Sequence, residues 1–294
     1  MDDGGASCGP VRSVFGADPE SRAALAVLQM LRDLEPWLLR DGAAVEQGSA
    51  LALLDDQFGA VHSVSSLLGQ SLAAATDNVL ALRRLLFEEQ GEHGTTSYRV
   101  HTHSPYSLVR TVIECTSTVL WALQPKEGTE RARRGLVLIA RDVFNAASFW
   151  DAYLGDLRPD RHARAMDYFD GLRRAVNEAA ESLQLPPIFA AKADGSWGYA
   201  TKNRTQTSIL KDLREGDLPP SLMYVWQFCS GHSHGLQWAS AQGVRYPDPF
   251  SYSGKEEFRP GSMQQLRRMC EVSLGLVPRA WDVFDRERRV WPLL

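Results

Sequence analysis

Apolar residues recur every three or four positions through most of the chain, which predicts a succession of amphipathic helices. Leu25, Leu28, Leu31, Leu34 and Leu38 set this rhythm between Glu20 and Arg40, and Asp41-Gly42 stops it. A longer helical stretch is predicted over Ser49–Glu89, interrupted near Gly59 or Gly69, followed by a loop over Gly91–Thr102. Ser104-Pro105 opens the next helix, because serine caps well and proline fits the first helical position. Val109, Val112, Ile113, Thr116, Val119, Leu120 and Leu123 then form one continuous stripe that ends at Pro125. Helices follow over Gly128–Leu154 and Asp160–Leu183, stopped by Pro186-Pro187. Ile188–Thr205 reads as one long irregular connection holding Gly195, Trp197, Gly198 and Tyr199; such connections are often functional. A short helix over Thr207–Arg214, a helix from Pro219-Pro220 to about Ala241, a loop over Tyr246–Pro260 and a last helix over Gly261–Arg289 complete the chain.

No segment alternates apolar and polar residues for long, and no long period repeats. The pattern therefore predicts an all-α protein: a disordered tail over residues 1–18, then one multi-helix bundle over 19–294 with an irregular loop at about 186–205.

Composition narrows the function classes. The 294 residues are 44% apolar and 23% charged, enough to bury a large core without staples. A net charge of −4 argues against a constitutive nucleic-acid coat protein, though not against a local basic groove. The preference for arginine, 27 against 5 lysines, reads first as codon bias. Cys8, Cys115, Cys229 and Cys270 are far apart and form neither a disulfide framework nor a zinc ribbon. Met1-Asp2-Asp3-Gly4-Gly5 lacks a signal pattern, and no uncharged apolar run reaches the roughly 18 residues of a membrane span. The expectation is a cytoplasmic protein that avoids the membrane and carries no cofactor.

Two helices carry candidate chemistry. Arg110 and Glu114 are four apart and share a helix face with Ser117 and Trp121, off the apolar stripe. That pair is either a solvated surface ion pair or a buried one with a purpose. The second helix contains Ser230-Gly231-His232-Ser233-His234-Gly235. Its two histidines suggest a chelate, but residues two apart on a helix diverge by about 200° and cannot share a metal. One imidazole then faces a site or the core and the other lies near the surface. His234 is the site candidate, because Trp226, Ser230, His234 and Trp238 form one row at four-residue spacing. The small residues around it permit close approach of a helix or ligand, which would offset about 1 kcal/mol of lost helix propensity per glycine. The plainer reading is a core histidine at a tight crossing. His101 and His103 could join His234 in a three-histidine site, although no spacing requires it. Phosphate-binding glycine loops and His-Glu-x-x-His are absent.

As a set, several segments resemble an all-helical family, itself uncharacterised, that is common in actinobacteria. They are Asp77-Asn78 with Arg84-Leu85, Ser104-Pro105-Tyr106-Ser107-Leu108-Val109-Arg110 with Glu114, Trp121-Ala122-Leu123 with Pro125, and Trp226 with Ser230-Gly231, His234-Gly235 and Trp238. The likeness spans roughly residues 70–240. A more distant similarity is to HEPN-type helical proteins, whose active members are metal-independent ribonucleases of toxin or phage-defence systems. Those place an arginine before a histidine on one helix, with four to six residues between the two. Here Gln227, Phe228 and Cys229 occupy those places before His234, so Arg110 would have to supply the cation from another helix.

Three functions follow. The first is a helical module that binds a partner protein or small ligand at a buried Arg110–Glu114–His234 site, with Trp121, Trp226, Ser230 and Trp238 as ligand contacts. The second is an HEPN-like endoribonuclease in which His234 is the acid/base, Arg110 stabilises developing charge and Glu114 orients them. The third is a metal or haem protein using His234 with His101 or His103. RNA, a partner protein or a second copy of the chain are the partners these readings admit.

Overall fold

The computed structural model describes residues 11–40, 44–58, 63–89, 96–200, 204–214, 218–241 and 261–290. Gly59, residues 91–95 of the loop expected over Gly91–Thr102, all of Tyr246–Pro260 and the first ten residues of the expected tail lie outside them. In chain order the elements are β1 (Arg12–Ser13), α1 (Pro19–Asp33), α2 (Glu35–Leu38), α3 (Ala50–Asp56), α4 (Val64–Leu86), β2 (Phe87–Glu88), β3 (Ser97–Tyr98), α5 (Ser104–Leu123), α6 (Gly128–Leu157), α7 (Pro159–Ser182), β4 (Phe189–Ala191), β5 (Trp197–Tyr199), α8 (Gln206–Arg214), α9 (Leu222–Ser233), α10 (Gln237–Ala241), α11 (Met263–Ser273) and α12 (Leu276–Arg288). The class is all-α, as the apolar rhythm predicts. Among the described residues no helix is long and apolar enough to cross a membrane.

The helix ends follow local chemistry. Asp18 caps α1 by accepting from the backbone N–H of Glu20 and Ser21, and Pro19 takes the first helical position. The single helix expected over Glu20–Arg40 divides at Leu34, two residues before Pro36, whose nitrogen has no hydrogen for the helical ladder. The last helix likewise divides into α11 and α12 around Leu274-Gly275.

The chain forms two compact units, each assembled from three stretches. The first comprises Met1–Asp41, Ser71–Ser117 and Leu210–Trp281. Its core holds Leu28, Leu31, Leu82, Tyr106, Val112 and Phe228, all buried. Glu20 ties α1 to the start of α11 by accepting from Ser262 Oγ at 2.7 Å, Met263 N at 2.6 Å and Gln264 Nε2 at 3.0 Å. Within the expected tail, Arg12–Ser13 pairs antiparallel with β3, which also pairs with β2. Burial of the adjacent Val14 anchors this stretch, and the Val14 N–H donates to Thr96 O at 3.2 Å.

The second unit comprises Gly42–Gln70, Thr118–Ile209 and Asp282–Leu294. α6 and α7 pack together as an antiparallel pair joined by a one-residue connection. Gly135 lets α6 approach its neighbours: a Cβ there would stand 2.9 Å from Val64 Cγ2. Arg131 holds the buried carboxylate of Glu287 with both terminal nitrogens. Ile188–Thr205 contains more order than expected, because β4 and β5 form a hairpin. Asn177 on α7 pins it, accepting from Ile188 N at 3.0 Å and Phe189 N at 2.9 Å and donating to Phe189 O at 2.9 Å.

Candidate functional site

The histidine helix is shorter than its spacing suggests. α9 ends at Ser233, and His234 is its C-cap. Gly235, at φ +63°, adopts the left-handed conformation that ends many helices. Its N–H donates to His232 O at 3.1 Å, and the Leu236 N–H donates to Gly231 O at 2.9 Å. These are the two bonds of a Schellman motif, and they turn the chain into α10. Trp238 therefore leaves the row of Trp226, Ser230 and His234 and folds back over α9. A Cβ on Gly231 would lie 2.5 Å from Trp238 Cζ2 and 2.8 Å from Ala239 Cβ. The close approach allowed by this glycine is filled by the chain itself. Gly231→Val is expected to destabilise the protein by about 1–3 kcal/mol through overpacking, measured by urea unfolding. An unchanged midpoint would show that Trp238 does not sit on Gly231.

Helical geometry separates the two histidines as expected, and the structure shows which faces inward. His232 is 3% exposed, and its ring stacks on Tyr106 with centroids 4.1 Å apart. The rings of Phe228 and His103 also lie against it. Neither ring nitrogen reaches a partner at hydrogen-bond geometry. Burial, reinforced by the neighbouring His103, pulls its pKa down to about 4, with the backbones of Thr102 and Ala239 offsetting part of the shift.

His234 is exposed and meets the other candidate helix. Arg110 Nη1 lies 3.4 Å from His234 Nε2. Arg110 Nε donates to Glu114 Oε1 at 2.8 Å, and Trp226 Nε1 donates to the same oxygen at 2.9 Å. Glu114 thus orients both the guanidinium and the indole. The Arg110 and Glu114 side chains retain 26% and 30% of their exposure, so this network is open to solvent rather than sealed as the binding reading expected. Contact at Nη1 uses His234 Nε2 as an acceptor, which places the proton of a neutral ring on Nδ1. The cluster sets guanidinium and indole nitrogens on one carboxylate, with the imidazole against the guanidinium.

The remaining candidates go elsewhere. Ser230 lies one turn before His234, and its carbonyl accepts from the His234 N–H at 3.1 Å. Trp121 is fully buried in the second unit, under the guanidinium of Arg134 at 5.0 Å from the ring centroid. It is a core residue and not a ligand contact. His101 Nε2 bonds Leu85 O at 3.2 Å, and His103 Nδ1 bonds His232 O at 3.0 Å. Neither stands with His234, and among the described residues no group of three His, Cys, Asp or Glu side chains is placed to hold a metal. Sequence reasoning overlooked Tyr106 and His232 as a stacked pair; Tyr106, two residues past the Ser104-Pro105 start, falls on the apolar stripe one turn before Val109.

No family model, curated protein or solved structure matches the chain.

Proposed function

We propose that the first unit is a binding module whose ligand presents an anionic oxygen group, a phosphate or a carboxylate, to Arg110 and His234. The observation that carries this reading is the solvent-open meeting of Arg110 Nη1 with His234 Nε2, on a guanidinium already oriented by Glu114. Arginine offers planar paired donors to such a group, and a fixed guanidinium loses less freedom on binding than a mobile one. The ligand displaces the weak 3.4 Å contact, and its oxygens accept from Arg110 Nη1 and from the Nδ1–H of the His234 ring, which turns to present it. The Trp226 indole, bonded to Glu114, supplies an apolar wall beside them. Cys115, Cys229 and Cys270 form no disulfide among the described residues, in keeping with a cytoplasmic setting.

The same contact favours a second reading, metal-independent RNA cleavage. An arginine and an imidazole this close hold a phosphodiester while the imidazole takes the proton of the substrate's 2′-hydroxyl, the 2′-oxygen bonds to phosphorus, the P–O5′ bond breaks, and the 5′-oxygen leaves with the proton returned by the imidazolium. One experiment addresses both. A short labelled single-stranded RNA is titrated in EDTA, with anisotropy reporting binding and a gel reporting cleavage. Arg110→Ala is expected to weaken binding at least tenfold, in line with loss of a charge-assisted contact. Equal affinity of this variant and the wild type would sink the phosphate form of the proposal, and a benzoate-type carboxylate titration would test the rest. Cleavage lost in His234→Ala, with binding retained, selects the catalytic reading.

A further inference from the structure

The second half of α6 presents one side to its own unit and leaves the opposite side open. On the covered side Phe144 meets Tyr199 with ring centroids 4.9 Å apart, and His162 Nε2 bonds Asp151 Oδ1 at 2.6 Å. The opposite side is covered only at its start. There a Cβ on Gly135 would lie 2.9 Å from Val64 Cγ2 and 3.3 Å from Phe58 Cε2, and Ile139 is fully buried. Continued at spacings of three and four, the same face passes Asp142 and Ala146 and reaches Phe149, Trp150, Tyr153 and Leu157. These last four side chains are 40–64% exposed. Phe149 and Tyr153 stack with planes 2° apart, and Trp150 stands edge-on to both at centroid distances of 5.4 and 5.7 Å. The rings form one contiguous patch rather than scattered apolar residues. They already restrict one another, so covering them costs less side-chain freedom.

Charge selects the class of partner. Residues 141–167 contain five aspartates and four arginines. RNA and anionic bilayers are drawn by a basic excess, which this stretch lacks. The charges also differ in sign along the face. Exposed Asp142 precedes the aromatic patch, and Arg158, in a loose 3.7 Å contact with Asp160, stands just past Leu157. Phe149 and Tyr153 lie two residues either side of position 151, Ala146 and Leu157 five and six, Asp142 and Arg158 nine and seven. The face is therefore complementary to a copy of itself running antiparallel. Phe149 opposes Tyr153 of the second copy, and Leu157 covers the small Ala146. At about 1.5 Å per residue, Asp142 comes within about 3 Å in axial height of Arg158 of the second copy, at both ends of the pairing.

The area is that of a modest dimer. With about 150–250 Å² per aromatic side chain, the exposed parts of the four residues amount to roughly 400 Å² per copy. A twofold pairing buries roughly 800 Å² from the patch alone, about half of a standard interface, before its polar ends are added. We infer that the protein dimerises through the second unit, with two α6 helices antiparallel about a twofold axis level with residue 151. This inference rests on nothing at Arg110 or His234.

Sedimentation velocity of the full-length protein over about 1–200 µM brackets the micromolar affinity such an area supports. A reversible equilibrium between the 32.7 kDa chain and its dimer is expected. Phe149→Glu, at an exposed position, should keep the wild-type urea midpoint and weaken dimerisation by about a hundredfold or more, since each substitution acts twice about the axis. Asp142→Arg and Arg158→Asp should each weaken it by about tenfold, by setting like charges together at both ends. Combined in one chain, they should restore the wild-type affinity. The inference is overturned by a protein that stays monomeric throughout, which would leave the patch to a different protein. It is equally overturned by wild-type dimerisation of a folded Phe149→Glu protein, or by a double charge variant no tighter than the single ones. A monomer whose affinity for labelled RNA falls in Phe149→Glu would assign the patch to nucleic acid and overturn it as well.

Discussion

Trp121→Ala is expected to lower the free energy of unfolding by about 3–5 kcal/mol while leaving ligand binding at Arg110 and His234 intact. The indole is fully buried, so truncation removes its transfer energy and leaves a cavity that close-packed neighbours refill only in part. It also strips Arg134 of the ring beneath its guanidinium, while the Arg134 bonds to Glu130 and to the Trp121 backbone carbonyl remain possible. Urea unfolding measures the first effect and RNA anisotropy the second. A variant of wild-type stability that no longer binds would return Trp121 to the ligand site.

The second large effect concerns pH. His232 has a pKa of about 4 in the folded protein, whereas an unfolded histidine titrates near 6.5. The unfolded chain therefore takes up this proton first as pH falls. The contribution of His232 is fully present above about pH 6.5 and is lost between there and about 4, on the order of 3 kcal/mol. Glu89 and Glu130, both held at about 2 chiefly by bonds from Arg83 and Arg133, act in a separate and more acidic window. Their stabilisation is present above the usual carboxylate range and is lost as pH falls from about 4.5 towards 2. His232→Phe keeps a ring against Tyr106 and removes the titration. Unfolding free energies at pH 7.5, 5.5 and 4.5 should fall steeply for the wild type and much less for the variant. Parallel slopes would show that His232 does not titrate as a buried group.

These expectations rest on features that differ in how far the sequence displays them. The helical class is plain, because apolar spacing of three and four extends over most of the chain. The meeting of Arg110 with Glu114 follows from four-residue spacing on one helix, and the separation of His232 from His234 follows from the helical turn angle. Which histidine is buried was not legible: it depends on Tyr106, more than 120 residues earlier. Gly235 carried a readable stop signal, since a glycine followed by the apolar Leu236 suits a Schellman ending. Reading its row through to Trp238 treated that stop as helix interior. Trp121 has the helical phase of Arg110 and Glu114, but it is buried, with Arg134 from the next helix over its ring. The β4–β5 hairpin has strands too short to show alternation, and its anchor, Asn177, lies in the preceding helix.

The central claim is that Arg110 and His234 together receive an anionic oxygen group. The most direct measurement is an NMR titration of the histidine imidazole resonances with inorganic phosphate at constant pH and ionic strength. The His234 signals should shift saturably while those of buried His232 stay fixed, and Arg110→Ala should remove the shift. Movement of His234 that is unaffected by Arg110→Ala, or a His234 signal that does not respond to phosphate at all, would contradict the phosphate-binding account.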